Sequence, residues 1–300
     1  VSAAVAPRWI GIALLSGIAV AFAANHVAAR LAFDHGTSVI TAVTVRSIAT
    51  ALAVALLVRL VGVSAGLAGR TRGHAVVIGL FLAVQSACLY ASVARIPVAL
   101  ALLTFNGFPI LLAVLSWATG GERPTRRTLI AMPIILAGLA VALDLPGVLV
   151  SGGASLDDPA RFRAGVGYAL AASAAFAVAL LLTTRWLGAV DGRVRTLWTM
   201  ATVGLVLVVT GAAVDGFALP RDPTGWTGLV LLSVLYGSAI TGLFVVLPRL
   251  GAVNHSPAMN IEPIASLVLA WLILGQRIAP LQVVGALLVV GAIIWMNARR

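Results

Sequence analysis

Two formal charges sit where the surrounding residues give them no water. Arg46 lies inside the apolar run from Val39 to Leu60, and Glu262 inside the run from Ser256 to Leu274. An ionisable group at membrane depth costs several kcal/mol unless it faces a cavity, finds a partner or changes protonation, so each is a candidate functional group. Arg46 is roughly seven residues, about 10 Å, from the end of its run. It either snorkels to the headgroups or faces a cavity as a charge partner. Glu262 is deeper and precedes Pro263, whose missing N–H frees a carbonyl one turn earlier and kinks a helix. Glu262 and Asn260 either satisfy that broken backbone or meet a solute or a proton directly.

A motif of the same shape occurs earlier, at Asn106, Gly107, Phe108 and Pro109. Both place an asparagine three residues before a proline, and Phe108 stands where Glu262 stands. An aromatic face from one motif and a carboxylate from the other suit an amphipathic solute carrying an amino group. Gly107, Pro109 and Pro263 are the expected hinges. Phe22, Asn25, His26, Gln85, Tyr90 and Tyr236 are further polar or aromatic candidates inside apolar runs. Trp186 and Trp198 lie near run ends, where an interfacial aromatic belt is expected. Catalytic motifs such as G-x-S-x-G and H-E-x-x-H do not occur, and the four histidines lack ligand spacing. The sequence therefore gives no reason to expect an enzyme, a metal or a cofactor.

The elements that must hold these residues follow from composition. The 300 residues are 61% apolar and only 10% charged, with a mean hydropathy of +1.09 sustained along the chain. That excludes a soluble globule and a soluble enzyme on a single anchor. The lone Cys88 excludes a disulfide scaffold. The net charge of +11 is carried by arginine alone, between apolar runs, where it reports topology and lipid contact rather than nucleic acid.

Ten apolar runs are each long enough to cross a hydrocarbon core of about 30 Å. They are Arg8 to Phe33, Val39 to Leu60, His74 to Ala94, Val98 to Thr119, Thr128 to Leu145, Gly165 to Leu187, Leu197 to Val214, Gly225 to Leu247, Ser256 to Leu274 and Leu281 to Met296. The first is too long for a signal-peptide core and lacks a cleavage site. The Gly, Ser, Asp and Pro-rich stretch from Pro146 to Arg163 divides the runs five and five.

Sliding the chain by 154 places pairs Arg95 with Arg249, Asn106 with Asn260, Pro109 with Pro263, Trp117 with Trp271, Gly121 with Gly275 and Arg123 with Arg277. The same offset pairs Phe22 with Phe176. An odd number of spans per half inverts the second half in the membrane. The expected fold is thus an all-α membrane protein of ten transmembrane helices, arranged as two inverted five-helix repeats. Residues 1–150 form the first repeat, 151–164 a linker and 165–300 the second repeat. A cytoplasmic N-terminus puts thirteen arginines inside and six outside, with Arg46 left within a span. Both termini are therefore expected in the cytoplasm and the linker outside.

The five-plus-five repeat, Asn260-Ile261-Glu262-Pro263-Ile264 and the ending Trp271-Leu272-Ile273-Leu274-Gly275-Gln276 resemble the EamA-type transporters of the drug/metabolite transporter superfamily. The resemblance covers essentially the whole chain, with Phe108 replacing a frequent glutamate and Gln276 standing where glutamate is common. It implies a multi-pass carrier in a bacterial inner membrane that moves a small molecule by alternating access. YddG-type aromatic amino-acid exporters are the nearest functional analogy, implying amino-acid export; another metabolite or drug, or a passive channel, are the alternatives. The expected partners are the small-molecule substrate and the lipid bilayer, with no nucleic acid.

Overall fold

The computed structural model describes residues 8–121, 123–124, 126–144, 158–250, 261–276 and 279–297. Among them the chain is helical: α1 (Arg8–Asp34), α2 (Val39–Val61), α3 (Gly69–Val93), α4 (Val98–Phe105), α5 (Phe108–Ala118) and α6 (Arg126–Ala142), then α7 (Pro159–Trp186), α8 (Gly192–Ala213), α9 (Pro223–Leu250), α10 (Glu262–Leu274) and α11 (Pro280–Asn297). Helices α4 and α5 make one span, which gives ten spans. Seven, including Val98–Ala118, are long and apolar enough to cross a bilayer by length and composition; Ile264–Leu274 and Pro280–Trp295 are shorter apolar segments.

The helix ends follow local chemistry. Ser38 caps α2 by accepting from the Thr41 amide, and Gly62 closes it at φ 73. Asp158 accepts from the Arg161 amide at the start of α7, where Pro159 takes a position whose N–H needs no helical partner. This cap begins the sixth span six residues earlier than Gly165, so residues 159–164 of the expected linker are helical. Asp191 starts α8 by accepting from the Arg193 amide, and the Arg193 side chain holds its carboxyl down to about 2.

The fourth span is broken because Pro109 has no N–H to offer the Phe105 carbonyl. Asn106 and Gly107 form the break, and Pro109 becomes the second residue of a fresh helix, α5. Pro263 occupies the matching position in α10. Pro263 is thus the second residue of α10, where its missing donor is tolerated; the residues before 261, on which the expected kink depends, lie outside the described ones.

Packing between the halves dominates packing within them. Spans 1 and 8, 8 and 2, 2 and 7, 7 and 3, 3 and 6, 6 and 4, 4 and 9, and 9 and 1 touch in turn, closing a ring of eight. Spans 5 and 10 (α6 and α11) pair beside it. Exchanging each span for its counterpart five places on leaves this pattern unchanged, as a twofold axis relating the halves requires. At residue level, His74 stacks on Trp186 at 4.4 Å where α3 crosses α7. The same positions shifted by 154 are Gly228 and Ala32, and there the α9 and α1 backbones meet so closely that a β-carbon on Gly228 would sit 2.7 Å from the Ala32 nitrogen. The ring also includes spans 2 and 7, beyond the polar-rich spans 1, 3, 4, 6, 8 and 9 that the sequence singles out.

Candidate functional site

The polar side chains inside the spans converge within the ring. Asn25 and His26 lie on α1, one turn from Phe22, and all three point toward neighbours from other spans. His26 Nε2 is 3.8 Å from Glu262 Oε1, across the contact between spans 1 and 9. Glu262 is the first residue of α10, so its carboxylate sits at a helix N-terminus, where the backbone dipole favours negative charge. Its side chain keeps 26% exposure against 8% for His26, so it can still meet a solute.

Arg46 is buried, with 3% exposure. The snorkelling alternative therefore fails. Its guanidinium donates from Nη1 to the Tyr90 hydroxyl at 3.1 Å and from Nη2 to Ser86 Oγ at 3.0 Å. Tyr90 in turn donates to Asn25 Oδ1 at 2.8 Å, and Ser86 to Gln85 Oε1 at 3.2 Å. The guanidinium carbon also lies 4.0 Å from the Tyr236 ring centroid and 4.8 Å from that of Tyr90, within cation–π range. Tyr90 packs 5.5 Å from His26, and Phe22 meets Tyr236 edge-on at 5.7 Å. One connected cluster thus joins His26, Asn25, Tyr90, Arg46, Ser86, Tyr236 and Phe22, with Glu262 beside His26.

The twofold counterpart of this cluster is apolar. Phe105, Phe108 and Phe176 pack at centroid distances of 4.9 to 5.5 Å where spans 4 and 6 meet. Phe176 and Phe108 are the positions equivalent to Phe22 and Glu262. The Asn106 amide, expected to face solute, donates to the Leu102 carbonyl at 2.8 Å and so braces the end of α4. Gly107 lies between that brace and α5. Asn260 falls outside the described residues.

Sequence reasoning missed Ser86, Phe105 and Phe176. Ser86 and Tyr90 are spaced i, i+4 on one face of α3, a signal that could have placed two hydroxyls together facing a cation. Phe176 appeared in the repeat alignment only as a marker of duplication.

At the end of the ring where α1 finishes and α7 begins, a groove of about 660 Å³ is lined by Asp34, Thr37, Ser38, Arg95, Asp158 and Arg161, with Phe33 at its wall. Phe33 also meets the Tyr90 ring edge-on at 6.0 Å, so it stands between the groove and the buried cluster. Arg30 ties α1 to the end of α3 through the Val93 and Ile96 carbonyls, and Arg161 reaches the Ala94 carbonyl from α7. His35 Nδ1 and Asp222 Oδ2 pair at 2.6 Å between the ends of spans 1 and 8. The Gly225 amide and His35 hold the Asp222 carboxyl below the usual range. Gln276 Oε1 accepts from the Val98 amide at 3.1 Å, joining the end of span 9 to the start of span 4.

These features define a helical membrane protein of two interdigitated, inverted repeats with a polar cluster buried inside the ring. Residues 9–143 and 163–298 each match the EamA-like transporter family, the two matches beginning 154 residues apart, and the chain belongs to that family of membrane transporters. No curated protein matches it significantly. A solved structure described only as "Crystal structure of protein" is similar over 95% of this chain and 94% of its own, at 18% identity and a TM-score of 0.57; that likeness concerns the fold alone.

Proposed function

We propose that the protein exports amino acids, aromatic ones among them and with broad selectivity, by alternating access, from a cytoplasm that holds both termini. The observation that carries the reading is Glu262 beside His26 at the crossing of spans 1 and 9, with phenylalanines at the equivalent positions of the other half. A carboxylate on one side of the twofold axis and an aromatic wall on the other suit a solute with an ammonium at one end and an apolar side chain at the other. Phe22 and Tyr236 extend the aromatic surface toward the polar cluster. The broken helix at Asn106–Gly107 and the helix that starts at Glu262 supply short rigid segments that tilt without rewinding a whole span. The Arg30, Arg161 and His35 ties close the α1 end of the ring, which fits one closed state of an alternating cycle.

Selectivity within such a pocket is weak, because a methylene difference changes binding by only about 1–3 kcal/mol. The test is Glu262→Gln in proteoliposomes. Uptake of labelled phenylalanine should fall at least tenfold while thermal stability stays near wild type, because the glutamine keeps the shape and loses the charge. Normal transport by Glu262→Gln, or competition only by solutes without an amino group, refutes the amino-acid assignment.

A further inference from the structure

We propose that Arg46 is a preorganised carboxylate-binding site, and hence that the transported solute carries a carboxylate which docks on this guanidinium. The inference rests on the reading that cargo passes through the ring, and it adds the anion-recognising group which that reading lacks. Glu262 suits a cation, and the Asn106 amide already spends one of its two N–H donors on the Leu102 carbonyl.

The chemistry around Arg46 suits an anion. Of nine acidic residues in the chain, only Glu262 lies within a span away from its ends, and among the described residues no carboxylate comes within 4.0 Å of Arg46. Its two side-chain acceptors are neutral hydroxyls, and Nε is buried without a hydrogen-bond partner. A guanidinium has five N–H donors in a planar fork matched to the two oxygens of a carboxylate. Nε and one N–H on each Nη remain for such a ligand after the bonds to Tyr90 and Ser86.

Both hydroxyls are held in register. Tyr90 directs its proton to Asn25 and Ser86 directs its proton to Gln85, so each turns a lone pair toward Arg46. The Tyr90 and Tyr236 rings pack against the guanidinium, 4.8 Å and 4.0 Å from its carbon. A cation buried this deeply without a counter-charge is costly, and π faces with neutral hydroxyls offset only part of that cost. The charge is not repeated in the other half. The equivalent position in the other half is Met200, which serves the same crossing of spans 2 and 7 as an apolar residue. The Tyr236 hydroxyl points to its sulfur at 4.0 Å.

The test uses the purified full-length protein in detergent at neutral pH and four probes: phenylpropionate, its primary amide, phenethylamine and chloride. Titration calorimetry should show phenylpropionate binding at least tenfold tighter than the isosteric amide. Arg46→Met should remove that preference while phenethylamine binding is kept, and Arg46→Lys should keep part of it. Chloride should not displace phenylpropionate at equal concentration. Equal binding of acid and amide by the wild type overturns the proposal, and this comparison needs no variant to fold. Equal loss of phenylpropionate and phenethylamine in a folded Arg46→Met also overturns it, because the arginine is then structural, as does displacement by chloride. Arg46-dependent phenylpropionate binding in a protein that moves no amino acid leaves the carboxylate site standing and removes only the amino-acid assignment. Amino-acid flux unchanged by Arg46→Met does the reverse.

Discussion

Tyr90 is the residue on which the buried cluster turns. Its hydroxyl accepts from Arg46 and donates to Asn25, while its ring touches His26 and Phe33. Tyr90→Phe keeps the ring and strands two buried partners, each unsatisfied group costing about 1–3 kcal/mol. The melting temperature in detergent should fall clearly. Tyr236→Phe should leave it near wild type, since that hydroxyl reaches only the Met200 sulfur. Equal melting of both variants contradicts the relay. At this scale the sequence was informative where a residue type was out of place. Arg46 and Glu262 stand out in apolar runs, and both lie in or beside the cluster. Ser86 did not stand out, because serine is tolerated anywhere in a membrane helix, and its role depends on a guanidinium from another span. Asn106 stood out as a polar amide beside a broken helix, where a backbone carbonyl is within reach and takes one of its N–H groups.

The elements explain why that cluster can exist inside a bilayer. The break at Asn106–Gly107 puts backbone groups within the ring, where the Asn106 amide meets the Leu102 carbonyl. Pro109 marked this position in the sequence; that it opens a helix was not legible, because the same residue kinks or starts a helix according to what precedes it. The close crossing of spans 5 and 10 was not legible either. Those runs read as uniform peripheral helices, yet a β-carbon on Gly285 of α11 would lie 2.4 Å from the Ala142 nitrogen of α6. Glycine is too frequent here, at 30 residues, for one position to announce itself. Gly285→Ala should therefore destabilise by about 1–3 kcal/mol through overpacking. Gly291→Ala, which meets nothing within 4 Å, should be neutral or stabilising by up to about 1 kcal/mol. Thermal unfolding of the two variants side by side checks this, and equal effects contradict the crossing.

The described spans form a ring of eight woven from two halves, with spans 5 and 10 paired beside it. Its topology was readable from the 154-residue offset, since duplication with an odd span count allows only inverted halves. The span order around the ring was not readable, because lipid-facing and partner-facing surfaces are equally apolar. Arginine asymmetry is the support for the proposed orientation, with both termini cytoplasmic. Cysteines placed singly at Ser155 and Arg300 in a Cys88→Ala background should label from opposite sides with an impermeant reagent; labelling from one side overturns that orientation. The central claim is that this ring is a carrier that presents its polar cluster to one side at a time, and not an open pore. Counterflow in proteoliposomes tests it most directly. Labelled phenylalanine flux should saturate with concentration and accelerate when unlabelled phenylalanine is loaded on the opposite side. Flux that rises linearly and ignores the opposite side would contradict the account.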